Sequence, residues 1–248
     1  MARFLEVCVD SLISARAAIR GGADRLELCS ALTLGGLTPY TALLRQIRAE
    51  SDIPVRCLIR PRSGDFLYTQ EEIDFMTVQI QELKAAGADG FVIGCLTAEG
   101  DLDMMATGIL IEAANGAGLT LHRCIDVSRD PLETYRRAAS LGIDTVLTSG
   151  AAAGCLEGLG VLSQLLQLRD AENGPEVLIG AGVSSANIGE ILTFLPHATA
   201  FHASCKETCE SGMVFRRADV PMGLPGLDEW HTQQTDESKV RELKDILG

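Results

Sequence analysis

Eight short aliphatic runs recur at a steady interval along this chain, at residues 4–10, 25–31, 54–60, 90–96, 119–126, 145–149, 176–182 and 199–205. Helical patterning fills the gaps between them, as in residues 12–21, TALLRQIRAE (41–50), Ile73 to Ala86 and Leu132 to Leu141. A last helical stretch, DESKVRELKDIL (236–247), follows the eighth run. Buried strands that alternate with helices belong to a parallel α/β sheet, because only a helical crossover returns the chain to the same edge. Eight such pairs in 248 residues fit a single (β/α)₈ TIM-barrel domain spanning residues 1–248. A doubly wound open sheet is the competing arrangement.

The joints repeat as well. Gly22-Ala23-Asp24, Gly87-Ala88-Asp89 and Gly142-Ile143-Asp144 each end a helical pattern and precede a strand. Glycine after a helix supplies the left-handed turn that closes it, so these joints belong to the structural end of a barrel. The exception to the regular rhythm is 206–236, an irregular stretch with Pro221, Pro225 and Trp230 that is expected to lie over the barrel mouth. Its apolar groups Met213, Phe215, Met222, Leu224 and Trp230 suggest a homo-oligomer.

Composition excludes several classes of function. The net charge of −13 disfavours nucleic acid and anionic membrane surfaces as partners. No apolar run nears the roughly 20 residues a membrane helix needs. The N-terminal MARFLEVCVD has no secretory pattern, and the eight cysteines lack small-domain disulfide spacing, so a reduced, cytoplasmic protein is expected.

Function is sought at the strand ends, where barrels keep their chemistry. LEVCVDS (5–11) and RLELCS (25–30) each carry Glu-x-Cys. Strand alternation puts Glu6 with Cys8, and Glu27 with Cys29, on one face. Cys8 and Cys29 occupy matching positions on adjacent strands, a soft pair suited to Cu(I). Cysteine is also a small core residue, and barrel shear staggers neighbouring strands, so packing is the alternative. An anion site is expected from Arg60 and Arg62 in IRPRSGDF (59–66), with Gly180, Gly182 and an N-capping Ser184 or Ser185 in IGAGVSSAN (179–187), and Ser204 beside them. For acid/base catalysis the candidates are Glu27, His122, Asp126 and His202, with a histidine oriented by a carboxylate. A histidine with a purely structural hydrogen bond is the alternative reading. No HExxH, CxxC, Walker A or GxSxG pattern occurs.

Taken in order, LEVCVDS, GGADRLELCS, GGLTP (35–39), IRPRSGDF, LHRCID (121–126), LTSG (147–150) and FHASC resemble the CutC copper-homeostasis family over roughly residues 4–216. The resemblance implies a cytoplasmic TIM barrel, often oligomeric, that handles cellular copper, with Cu(I) as the bound ion. It places the copper-linked cysteines on Cys8 and Cys29. Two departures stand out: Ser63 where the family usually has glycine, and LHRCID in place of FHRAFD, which adds Cys124. A barrel mouth this rich in polar groups also suits an enzyme acting on a small phosphorylated or carboxylated metabolite. Copper binding and acid/base catalysis therefore stand as two readings of one mouth.

Overall fold

A computed structural model describes residues 3–217, 219–220 and 228–248. Eight parallel strands close into a barrel in sequence order. They are β1 (Phe4–Val9), β2 (Arg25–Leu28), β3 (Val55–Leu58), β4 (Gly90–Ile93), β5 (Gly118–Leu121), β6 (Thr145–Thr148), β7 (Glu176–Ile179) and β8 (Ala200–Ala203). Around them run α1 (Leu12–Gly21), α2 (Thr41–Glu50), α3 (Gln70–Ala85), α4 (Met104–Ala114), α5 (Pro131–Ser140), α6 (Leu159–Glu172) and α7 (Ile188–Phe194). β1 pairs with both β2 and β8, which closes the ring and rules out the open sheet. No helix among the described residues is long and apolar enough to cross a membrane.

Helix ends obey local chemistry. Ser11 caps α1 by accepting from the Ser14 amide, and Thr69 with Glu72 forms a reciprocal capping box on α3. Leu5, Val7, Leu26, Leu28, Phe91 and Phe201 are fully buried between strands and helices. The repeated Gly-x-Asp joints work as clasps at the barrel's N-terminal end. Gly22, Gly87 and Gly142 all have positive φ, which only glycine adopts without a Cβ penalty. Each following aspartate then grips the preceding strand: Asp24 accepts from the Leu5 amide at 2.7 Å, Asp89 from Val55 at 2.7 Å and Asp144 from Leu119 at 2.6 Å. In return each Asp amide donates to the carbonyl of that same strand residue. The barrel is thus pinned at its structural end by side chains, which leaves the opposite end for chemistry.

The stretch after β8 differs from expectation at its two ends. Lys206–Glu210 (β9) and His231–Thr235 (β10) form an antiparallel two-stranded ribbon before the last helix, α8 (Glu237–Leu247). Polar residues throughout, with Thr232 and Gln233 exposed, suit a ribbon that stands in water, and the prolines and glycines between its strands obscure it in the sequence. The ribbon stands beside α1, where the Thr235 amide donates to Ser14 Oγ. Met213 and Phe215 are exposed, while Pro221, Met222, Leu224 and Pro225 lie outside the described residues.

Candidate functional site

Register decides which groups meet. Cys8 pairs with Glu27, and Glu6 pairs with Arg25 on one side and His202 on the other. Cys8 and Cys29 are therefore not at matching positions. The stagger of a closed barrel moves Cys29 two residues further up β2, about 6.6 Å at a strand's usual rise. What stands level with Cys8 is a carboxylate on β2, while an imidazole on β8 stands level with Glu6, whose side chain shares the face of Cys8.

The side chains follow from that. Cys8 Sγ, a Glu27 oxygen and a His202 ring nitrogen all lie within 4.8 Å of one another, and all three residues are buried. His202 Nδ1–H donates to Glu6 Oε1 at 2.8 Å, which turns Nε2 toward Glu27 Oε2 at 3.8 Å. Arg25 Nε donates to the second Glu6 oxygen at 2.5 Å. The Cys29 thiol donates to Glu27 Oε2 at 3.4 Å, so it stands beside the three-residue set and outside it.

Opposed charges divide the carboxylates. Burial alone would raise the Glu6 pKa, but the hydrogen bond from His202 and the Arg25 charge overcome it and lower the value to about 2. Among the described residues no arginine bonds to Glu27, and burial raises its pKa above the ordinary carboxylate value. Burial would lower His202, yet Cys8, Glu27 and the Glu6 bond prevail and hold its pKa well above that of a free imidazole. Burial, Glu27 and Cys8 push the Cys29 thiol well up. An open cleft of about 1100 Å³ between the β1 and β2 loops and the ribbon reaches down to Cys8, lined also by Asp10, Leu32, Ser204 and Gln233.

The other anticipated residues are placed elsewhere. His122, at the end of β5, is buried against Phe66 with ring centroids 4.7 Å apart, and neither Glu6 nor Glu27 bonds to it. Asp126 fastens the β5 loop to the β6 loop: it accepts from Thr148 Oγ1 at 2.5 Å, from the Ser149 amide and hydroxyl and from the Ala151 amide, and it pairs with Arg123.

The expected anion site is divided by the fold. Arg60 and Arg62 follow β3, whereas Gly180, Gly182, Ser184 and Ser204 follow β7 and β8, on the opposite side of an eight-strand ring. The cap of α7 is Asn187, not Ser184 or Ser185. The Ser184 amide donates to Asn187 Oδ1, and Ser185 Oγ donates to Glu242, so the turn is closed upon itself. Arg62 is spent outside the barrel on Glu72 and Asp65. Arg60 donates to the carbonyl oxygens of Leu34, Gly36 and Gly64.

Sequence reasoning found Glu6 as a partner in polar register but not Arg25. Its signal was available: an arginine opening a strand whose neighbour carries a buried glutamate needs that glutamate as counter-charge.

Comparison with known proteins agrees with this barrel. Residues 3–206 match the CutC family. The human copper homeostasis protein cutC homolog is 41% identical over 243 residues, covering 98% of this chain and 88% of its own length. The CutC protein of Aliivibrio fischeri is also 41% identical, over 97% of both chains. Among solved structures, the CutC protein of Streptococcus agalactiae superposes with a TM-score of 0.75 at 27% identity, covering 82% of this chain and 98% of that one. Phosphoribosyl anthranilate isomerase of Thermococcus kodakaraensis, at 13% identity and TM-score 0.57, shares the barrel fold. By sequence over nearly its whole length and by fold, this chain belongs to the CutC family of copper-homeostasis proteins.

Proposed function

We propose that the chain binds Cu(I) as cargo at the base of the cleft, through Cys8 and His202 with Glu27 as an adjoining oxygen donor. The observation that carries this is the mutual approach of those three donors to within 4.8 Å. Donors sharing an ion through bonds of roughly 2.0–2.3 Å stand at most about 4.6 Å apart, so a small inward movement suffices. A thiol with an imidazole is a soft pair that disfavours Mg²⁺ and Ca²⁺. Glu6 holds His202 by Nδ1 and so fixes the ring with Nε2 toward the metal position, the usual carboxylate–histidine arrangement of metal sites. Cys29, hydrogen-bonded to Glu27, is a reserve thiol one pleat above. All eight cysteines are free thiols and six are buried, which suits a reducing cytoplasm.

The test is a Cu(I) titration of the reduced protein against a competing chelator. One ion per chain is expected. Cys8→Ser is expected to weaken binding at least 100-fold, and Glu6→Gln by roughly 10–100-fold, as for other second-layer partners of ligands. Binding left intact in Cys8→Ser and in His202→Gln would overturn the proposal.

A second reading is favoured by the contrast between Glu6 and Glu27. Two carboxylates with pKa values moved apart, on either side of a histidine next to Cys8, the residue the cleft reaches, are arranged for general acid/base chemistry on a small phosphorylated or carboxylated molecule. In that case a metabolite would raise the melting temperature of the wild type and of Cys8→Ser alike, and would lose its effect in His202→Gln.

A further inference from the structure

Across the barrel from this cluster lies a second group of buried polar side chains, which the copper reading does not use. Arg60 and His122 are 8% and 5% exposed. Arg60 Nη1 and Nη2 are bonded to loop carbonyls, but Nε–H has no acceptor among the described residues, and no carboxylate lies within ion-pair distance of the guanidinium. In His122 the Cys124 amide donates to Nδ1 at 3.2 Å. An amide can only donate, so Nδ1 is the bare nitrogen and the ring proton sits on Nε2. That Nε2–H is also without an acceptor, as is the hydroxyl of Tyr68.

Arg60 and His122 are neighbours around one ring. The Phe66 ring lies 4.7 Å from the His122 ring and 5.2 Å from the Arg60 guanidinium carbon. The site is also built for close fit. A Cβ on Gly94 would fall 2.6 Å from His122 Cε1 and 2.5 Å from Cys124 Sγ, so the residue after β4 must be glycine for the imidazole to lie there. The Phe66 carbonyl accepts from the Leu96 amide at 2.8 Å, which pins the loop over the pair.

Buried donors without acceptors cost about 1–3 kcal/mol each in native proteins, and such groups point to a partner. Arg60 Nε–H and His122 Nε2–H can only donate, and Arg60 carries a positive charge with no carboxylate in ion-pair distance among the described residues. We propose that Arg60 and His122 form a binding site for the carboxylate group of a small metabolite, sheathed by Phe66. One uncompensated cation in a dry site takes one negative charge, which favours a carboxylate over a phosphate dianion. The neutral ring of His122 suits the role of hydrogen-bond donor: burial and the Arg60 charge lower its pKa to about 3. The site goes beyond the copper proposal and shares no residue with it.

The test uses the full-length, reduced, copper-free protein labelled with ¹⁵N in its histidines. Sodium acetate is titrated at neutral pH and constant ionic strength while the His122 Nε2–H resonance is followed. Sodium phosphate and sodium chloride are titrated in parallel. A saturating shift with acetate, at least tenfold weaker with phosphate and absent with chloride, is expected. Arg60→Gln should weaken the acetate response at least tenfold, and Phe66→Ala, which opens the sheath, should strengthen it at least threefold. A response that does not saturate, or equals that of chloride, means that water alone satisfies these donors and overturns the site. Saturation unchanged in Arg60→Gln overturns it too. Tighter binding of phosphate overturns the carboxylate assignment. If Arg60→Gln does not fold, Phe66→Ala decides: tighter acetate binding supports the site, and unchanged or weaker binding refutes it.

Discussion

The two histidines of the barrel interior sit in opposite surroundings. His202, on the β1–β2–β8 side, lies between Glu6 and Glu27 with Cys8 beside it, and Arg25 completes the chain of charges. His122, on the β3–β5 side, faces a phenylalanine and an arginine and bonds only to its own loop. Their titration follows: the neighbours of His202 raise its pKa well above that of a free imidazole, while burial and Arg60 lower that of His122 to about 3. One side of the mouth is a closed network of charges, the other a set of donors awaiting an acceptor. A barrel can maintain both because its strands position side chains independently of one another.

Breaking the closed network should have the largest effect on stability. Glu6→Gln leaves Arg25 and a charged His202 buried around a neutral amide. Removing one partner of a buried pair usually costs about 3–5 kcal/mol, and a loss of about 3 kcal/mol is expected in urea unfolding. A loss under about 1 kcal/mol would show that Glu6 and Arg25 are solvated and that the network is loose.

Acid should next separate the two sides. His122 has a folded pKa below its unfolded value, so the unfolded chain takes up the proton first. Its contribution is present above pH 6.5 and is lost as pH falls from 6.5 toward about 3. Glu6 behaves likewise in a lower window, from 4.5 toward about 2. His202 has the reverse sign: its contribution is complete below pH 6.5 and fades as pH rises through its raised folded value. Comparing wild type with His122→Gln isolates the first term. Between pH 6.5 and 5 the wild type should lose about 1.6 kcal/mol more than the variant, the slope rising toward about 1.4 kcal/mol per pH unit. Parallel curves would mean that His122 is hydrated.

A smaller effect would sharpen the origin of that shift. Burial is the larger cause at His122 and the Arg60 charge the second. In Arg60→Gln the His122 titration, followed by NMR, should move upward yet stay below that of an exposed imidazole. No movement would place the guanidinium too far away to act on the ring.

How legible this was depended on the scale of the feature. Alternation of strand and helix is a periodicity summed over many residues, and β1 through β8 fall on the eight aliphatic runs, β5 starting one residue ahead of its run. The Gly22, Gly87 and Gly142 joints were equally readable, because positive φ after a helix has one cheap solution. Glu6, Cys8, Glu27 and His202 could be assigned to the polar face of their strands. Their assembly could not be read, since it rests on the stagger that sets Cys8 against Glu27 and not against Cys29. Stagger is a property of the closed ring, carried by no single strand. The turn after β7 differs for another reason: serine and asparagine are both good capping residues, and the helix starts after Asn187, whose side chain bonds back to Ser184 and Gly182.

Arg60 and Arg62 make the last point most sharply. Two residues apart in PRSGDF and its flank, they read alike in sequence, and both were expected to hold an anion. Arg60 closes β3 and turns inward, where it is nearly covered. Arg62 stays outside, its side chain 38% exposed, forked between Glu72 and Asp65 over the Tyr68 ring. Ion pairs exposed in this way contribute about 0–1 kcal/mol. Arg62→Gln should therefore cost less than about 1 kcal/mol in urea unfolding and leave the acetate response of His122 unchanged, whereas Arg60→Gln weakens it at least tenfold. Equal losses in the two variants would show that the 61–68 loop acts as one unit and that Arg62, from outside, holds Phe66 over the inner pair.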